Sequence, residues 1–150
     1  MKQWLRHSGR AVLMGLTWGL LWAPVAVLVG MIVDPDGSMD EMWVAIGAYP
    51  GFLAGVLFSA LFWLAERRRG VDDLSFSRAG AWGALAGLLV GVLPFVIGEP
   101  TGAWGISPWL LGVVVVGAIT LLSAASAVGS AISFRYAARR QTLAGAGRAG

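Results

Sequence analysis

The sequence predicts an all-α integral membrane protein, a four-transmembrane-helix bundle with both termini in the cytoplasm, and three observations support this prediction. Charged residues make up only 13% of the 150 residues, about half of the roughly 25% that soluble domains carry. The apolar residues fall into long runs that contain no charged side chain. Every Lys and Arg lies in a terminal segment or in the middle connection. We treat residues 1–150 as a single transmembrane domain.

The first predicted span covers residues 11–33 and follows the short basic segment Met1–Arg10. A helix of ~20 apolar residues crosses the ~30 Å hydrocarbon layer of a membrane, so this run is long enough. The alternative is a secretory signal peptide. The run is longer than the roughly 7–15 apolar residues of such a signal, and no convincing small-residue cleavage site follows it. We therefore predict a retained helix.

Polar and charged segments delimit the other three spans. The second follows the acidic turn Asp34–Glu41 and ends at a run of charged residues. Glu99 and Pro100 stop the third, because proline cannot continue a helix without losing a hydrogen bond. Ser107 suits the N-cap of the fourth, and Pro108 suits its first helical position. The predicted spans are residues 11–33, 42–65, 79–98 and 109–134, and residues 135–150 form a cytoplasmic tail.

The basic residues predict the orientation of the chain. The two connections without Lys or Arg carry only acidic charge. Because basic segments stay in the cytoplasm, we place both termini and the middle connection there, and the composition suggests a bacterial inner membrane. Basic residues that face anionic headgroups also explain the pI of about 10.2 without a nucleic-acid partner. The 11 basic residues are Lys2, Arg6, Arg10, Arg67, Arg68, Arg69, Arg78, Arg135, Arg139, Arg140 and Arg148.

Most tryptophans lie where an aromatic belt is expected. Trp43, Trp104 and Trp109 fall at the predicted outer boundary, and Trp63 and Trp82 fall at the inner one. Amphipathic rings favour this level because they contact lipid chains and polar headgroups together. The belt therefore agrees with the spans and their orientation.

Trp18 and Trp22 are exceptions, since they lie near the middle of the first span. They are four residues apart and therefore share one helix face. One interpretation is a ligand or partner contact, in which the rings stack on an apolar or cationic molecule. The other is a bulky ridge that packs against glycines of a neighbouring helix, and we favour the ridge.

Small residues recur at four-residue spacing within three spans. Lipid supplies no hydrophobic force between helices, so association depends on close backbone approach, which such GxxxG-type rows permit. Trp18-Gly19 and Trp82-Gly83 also begin two similar hairpins, which suggests parallel helical hairpin repeats. The predicted helix-packing residues are Gly15, Gly19, Gly47, Gly51, Gly55, Ser59, Gly83, Gly87 and Gly91, and the last span offers a softer Ser/Ala face.

The sequence contains little chemistry. It has no cysteine, its single histidine, His7, lies outside the first span, and no charged residue lies deep in any span. Membrane proteins keep an intramembrane charge when function requires one, so a proton-coupled transporter or intramembrane hydrolase is disfavoured. The deep hydroxyls, Thr17, Ser59, Thr120 and Ser123, are interpreted as bonding to carbonyls one turn back. We predict a protein that is not an enzyme, with no catalytic residue, metal or cofactor.

These features lead to one leading functional hypothesis and one alternative. The leading hypothesis is an accessory or structural subunit that packs against other membrane helices in a larger complex, with lipid and other membrane subunits, or further copies of itself, as partners. The alternative is a homo-oligomeric channel or facilitator for a small solute. That function would use the hydroxyl positions and the internal prolines Pro24, Pro50 and Pro94, which can kink helices.

Overall fold

The computed structural model describes residues 2–33, 35–37, 40–66, 75–98 and 107–146, and these residues form helices and turns without a strand. Each of its four helices is long and apolar enough to cross a membrane. The predicted all-α class and four long apolar helices are therefore confirmed. The helices are α1 (Lys2–Val33), α2 (Asp40–Glu66), α3 (Phe76–Ile97) and α4 (Pro108–Ala146).

The helices extend beyond the predicted spans. α1 reaches back to Lys2, and α4 continues to Ala146, so most of the predicted tail is helical. α3 begins at Phe76 rather than at residue 79, because the Ser75 hydroxyl caps it by accepting a hydrogen bond of 3.2 Å from the Arg78 amide. The apolar runs predicted only the segments long enough to cross lipid. Arginine and alanine are good helix formers, and they prolong the helices beyond those segments.

Several predicted features fall at the connections. Residues 35–37 are the described part of the acidic turn, and Gly37 has φ 67°, a left-handed conformation that suits glycine. The arginines at 67–69, Trp104 and the connection at 99–106 lie outside the described residues. The helices continue through their internal prolines.

The four helices pack as two antiparallel hairpins, α1 with α2 and α3 with α4. α2 also contacts α3. Indole hydrogen bonds join α1 to α4, from Trp18 to Ser130 and from Trp22 to Ser126. A step of four residues forward on α1 is thus a step of four back on α4, so these helices are antiparallel too. The chain therefore runs up, down, up and down.

Large side chains fill the space between the hairpins. Trp18, Trp22 and Phe58 belong to one buried cluster, and Phe62 packs at its edge. The outer surface is also strongly apolar: Leu20 is 75% exposed, Ile32 81% and Leu121 72%. A water-soluble protein does not expose so large an apolar surface, whereas lipid tails solvate it readily.

The predicted tryptophan belt is only partly observed. Trp109 is 71% exposed and Trp63 is 46% exposed. Trp43 departs from the belt, because its ring is buried over Gly30 of α1. Trp82 is half-buried beside the central cluster. The sequence indicated the level of these rings along the helix but not which side of the helix a neighbour covers.

Candidate functional site

The first hairpin places its glycines against backbone carbonyls of the facing helix. A Cβ added at Gly47 would lie 2.5 Å from the Trp22 carbonyl oxygen, and one at Gly51 would lie 3.0 Å from the Trp18 oxygen. The α2 glycines thus point a Cα–H group at carbonyls of α1, a weak hydrogen bond that recurs at helix interfaces. At Gly47 a side chain would force the facing backbone to move, and at Gly51 it would make a very tight contact.

The contact is reciprocal. A Cβ at Gly55 would lie 2.8 Å from the Met14 carbonyl oxygen, and one at Gly15 would lie 2.8 Å from the Phe52 oxygen. A Cβ at Gly19 would lie 3.0 Å from the Ala48 carbonyl oxygen. Both helices therefore contribute glycines to a single close interface. Ser59, which continues the row in the sequence, is half-buried.

The second hairpin uses the same arrangement with the glycines on α3. A Cβ at Gly83 would lie 2.6 Å from the Ser123 carbonyl oxygen, and one at Gly87 would lie 2.7 Å from the Ile119 oxygen. A Cβ at Gly91 would lie 3.1 Å from the Val116 Cα. In the first hairpin the longer glycine row lies on α2, the second helix of that hairpin. In the second hairpin the row lies on α3, the first helix of that hairpin. The two hairpins are therefore not packed as simple copies.

Trp18 and Trp22 lie between the hairpins, at the centre of the bundle. Their rings stack with centroids 6.3 Å apart, and the Trp18 ring also stacks on Phe58 at 5.2 Å. Trp18 is 0% exposed and Trp22 is 3% exposed. The two rings are therefore covered by this chain itself. A ligand or partner that stacks on them would first have to displace Phe58 or separate the hairpins.

Each indole N–H is bonded to a serine of α4. Trp18 Nε1 donates to Ser130 Oγ at 3.3 Å, and Trp22 Nε1 donates to Ser126 Oγ at 3.0 Å. Ser130 also donates to the Ser126 carbonyl oxygen at 2.8 Å. We call these four residues the indole–hydroxyl cluster. Buried indoles usually need such a partner, and here the partners fix how one hairpin lies against the other.

Ser123 differs from the other deep hydroxyls. Thr17 donates to the Leu13 carbonyl oxygen at 2.9 Å, and Thr120 donates to the Val116 oxygen at 2.7 Å, as the sequence interpretation expects. That interpretation is wrong for Ser123, which is fully buried and whose Oγ has no hydrogen-bond partner among the described residues. Its hydroxyl instead faces Gly87, where an added Cβ would lie 2.5 Å away.

We expect Ser123→Ala to raise the free energy of unfolding by about 1 kcal/mol, because a buried unpaired hydroxyl costs roughly 1–3 kcal/mol. Unfolding in mixed micelles, followed by circular dichroism, measures the change. Ser133→Ala is the matched control, since the Ser133 hydroxyl is exposed and bonds to the Gly129 carbonyl oxygen at 3.0 Å. A clear loss of stability in Ser123→Ala would contradict the expectation.

An open apolar groove of about 640 Å³ lies between α3 and α4. Leu88, Val92 and Phe95 line its α3 side. Trp109 and Thr120 are among its α4 residues, and the Thr120 hydroxyl is already bonded within its own helix. The groove therefore offers apolar contacts and no free polar group in the described part.

The outer face of α4 carries small residues that no other helix covers. Ala118, Ala125 and Gly129 are exposed and share this face by their spacing. A Cβ added at Gly129 would meet nothing within 4 Å. Only 11% of the most apolar segment of α4 is buried, against 22% in α1 and 28% in both α2 and α3. α4 is thus the helix that this chain covers least.

The described residues contain no group of three or more His, Cys, Asp or Glu side chains that could hold a metal ion. The side chain of His7 lies outside the described part. The site is thus a packing centre, the indole–hydroxyl cluster, with the uncovered outer face of α4 beside it. No family model, no curated protein and no solved structure matches this chain.

Proposed function

We propose that this chain is a multi-pass protein of a bacterial inner membrane with both termini in the cytoplasm. Four apolar helices with strongly apolar outer surfaces support insertion into lipid. The orientation is supported by the sequence, in which all 11 basic residues lie in the terminal segments or the middle connection, and by the up-and-down order of the described helices. Labelling of single cysteines at position 36 and position 140 tests it, and the orientation requires opposite compartments for the two.

We further propose that the protein is a non-enzymatic accessory subunit whose α4 packs against a helix of another membrane protein. The observation that carries this proposal is the outer face of α4, where small residues remain uncovered. The glycine rows of α1, α2 and α3 do not support it, because the facing helix of the same hairpin already occupies them. A partner helix that approaches Gly129 would gain the close backbone contact that stabilises helix pairs in lipid.

A photo-cross-linking side chain on the outer face of α4 tests the partner. Placed at Ala125, it should give one defined adduct in native membranes. Placed at Leu20 of α1, which is 75% exposed to the surroundings, it should react with lipid alone. The same partner should co-purify with the full chain in mild detergent.

Gly129→Leu is the matched variant for this experiment. It adds bulk where a Cβ meets nothing within 4 Å in this chain, so the folded bundle should keep its stability while the adduct and the co-purified partner are lost. Recovery of this chain alone, with no adduct at Ala125, would contradict the accessory role. An adduct to a second copy would replace the partner with self-association.

The alternative, a homo-oligomeric channel or facilitator, has less support. Its path would need polar groups along a helix surface, but the Thr17 and Thr120 hydroxyls bond to their own helices. Ser126 and Ser130 are engaged by the indoles of α1. The channel or facilitator function would gain support if reconstituted vesicles showed solute flux and that flux disappeared when Gly51 or Gly87 was enlarged.

A further inference from the structure

Arginines of three helices lie at the same end of the bundle. The Arg135 guanidinium of α4 lies 4.4 Å from the centre of the Phe76 ring, at the start of α3. Arg78 is in the first turn of α3, where its amide bonds to Ser75. The first turn of α3 and the Arg135 region of α4 therefore lie at the same level.

Arg10 of α1 belongs to this level as well. Ser130 Oγ contacts the Met14 sulfur at 3.8 Å, which places these two residues side by side. Arg10 lies four residues before Met14, and Arg135 lies five residues after Ser130. At ~1.5 Å per residue on antiparallel helices, both arginines are ~6–7.5 Å further toward the same end.

α1 and α4 continue beyond this level. α1 extends back to Lys2, and α4 extends on to Ala146. The α4 extension carries Arg140, whose side chain is exposed, as that of Arg10 is. We call Arg10, Arg78, Arg135 and Arg140 the arginine collar.

The whole collar end is electropositive. Among the described residues, this end holds one acidic residue, Glu66, and seven basic ones, Lys2, Arg6, Arg10, Arg78, Arg135, Arg139 and Arg140. The described part of the opposite end has Asp36, Asp40 and Glu41 and no basic residue. A ligand of the collar must therefore carry negative charge.

The surface next to the collar narrows the class of ligand. Leu13 is 65% exposed within one turn of Arg10, and Phe134 is 54% exposed beside Arg135. Tyr136 is 66% exposed one turn before Arg140. A molecule held here meets guanidinium groups and apolar side chains together. Free phosphate and nucleic acid match only the charged part, whereas a phospholipid with an anionic headgroup matches both.

We propose that the arginine collar binds the headgroups of anionic phospholipids, with the acyl chains lying along Leu13 and Phe134. This proposal rests on the proposed insertion into a membrane. The Phe76 ring lies 4.4 Å from the guanidinium carbon of Arg135, and this cation–π contact stabilises the position of Arg135 in the collar. The fork of N–H donors on a guanidinium matches the geometry of phosphate oxygens. The collar selects lipid by charge and not by headgroup shape.

The test titrates the full-length protein in neutral detergent with phosphatidylglycerol, phosphatidylcholine or inorganic phosphate, and counts bound lipid by native mass spectrometry. Phosphatidylglycerol should bind, and the other two should not. In Arg10→Gln with Arg140→Gln, its affinity should fall about 30-fold, since each basic residue near an anionic surface contributes about fivefold. The pair Arg10→Lys with Arg140→Lys should retain most of the affinity.

Asp36→Asn is the control at the opposite end, because Asp36 is exposed and its loss changes the net charge, by one positive unit, without touching the collar. It should leave the affinity unchanged. Equal binding of phosphatidylcholine, or full affinity in the double glutamine variant, would overturn the proposal. Competition by inorganic phosphate would also overturn it, in favour of a simple anion site.

Membrane insertion is measured separately on the same variants. Resistance to alkaline extraction should persist in the double glutamine variant, because the apolar spans remain intact. If extraction resistance holds and lipid selectivity is absent, only the collar proposal fails. If the unchanged protein is itself extracted, the proposed membrane insertion fails.

Discussion

Trp18→Ala is expected to lower the free energy of unfolding by about 3 kcal/mol, the lower end of the ~3–5 kcal/mol that such truncations remove in soluble cores. Trp18 is 0% exposed, stacks on Trp22 and Phe58, and donates to Ser130. Its removal leaves a cavity between the hairpins and takes away the N–H that donates to Ser130, whose hydroxyl still bonds to the Ser126 carbonyl oxygen. The loss falls at the lower end because lipid is itself apolar, so transfer of the ring contributes less than its packing does.

Trp109→Ala is the matched control, because the Trp109 ring is 71% exposed at the start of α4. Reversible unfolding of both variants in mixed micelles, followed by circular dichroism, measures the difference. Trp109→Ala should change stability little. Equal losses in the two variants would show that Trp18 does not hold the hairpins together.

Trp22→Phe separates packing from hydrogen bonding at the same place. It keeps an aromatic ring and removes the N–H that donates to Ser126. Hydrogen bonds between membrane helices average about 0.6 kcal/mol, so Trp22→Phe should have a much smaller effect than Trp18→Ala. A larger effect would assign the stability of the cluster to its hydrogen bonds.

Gly47→Ala is expected to destabilise the first hairpin by about 1–3 kcal/mol, the usual range for overpacking. The new Cβ would lie 2.5 Å from the Trp22 carbonyl oxygen and 2.7 Å from the Ala26 Cβ. The first of these atoms belongs to the backbone, so a rotamer change cannot relieve the overlap and α1 must move away from α2. That movement also loosens the neighbouring contacts at Gly51 and Gly19.

Gly129→Ala makes the same chemical change and is expected to have the opposite effect on stability. Its Cβ would meet nothing within 4 Å, and alanine favours the helix over glycine by up to about 1 kcal/mol. Stability should therefore stay constant or rise. Thermal unfolding in one lipid mixture measures both variants side by side, and a Gly47→Ala protein as stable as Gly129→Ala would contradict the close packing of α1 on α2.

The sequence alone predicted the helices because their cause is local. Lipid-length apolar runs bounded by Pro100, Ser107 and the charged segments produce helices wherever the backbone must satisfy its own hydrogen bonds. The error at the start of α3 has the same origin. Ser75 is a cap by residue type, but a criterion based on apolar runs does not register a polar first turn that contains Ser77 and Arg78.

The partners of particular side chains could not be predicted in this way. The spacing of Trp18 and Trp22 gave their common face but not that Ser126 and Ser130, more than a hundred residues later, would receive their N–H groups. From the sequence, Trp43 was expected at the outer membrane boundary, and the Ser123 hydroxyl was expected to bond to the carbonyl one turn back. Both proved to be buried without a hydrogen-bond partner among the described residues.

The sequence by itself determined the number, type and approximate limits of the helices and the segregation of charge to one end, because these depend on composition along a single chain. Only the tertiary structure decided which helix fills each glycine row, that the tryptophans join the hairpins, and that the outer face of α4 remains uncovered. Those outcomes depend on which faces meet after the helices rotate and cross. A periodicity of small residues shows that a close neighbour is permitted, but it does not specify the neighbour.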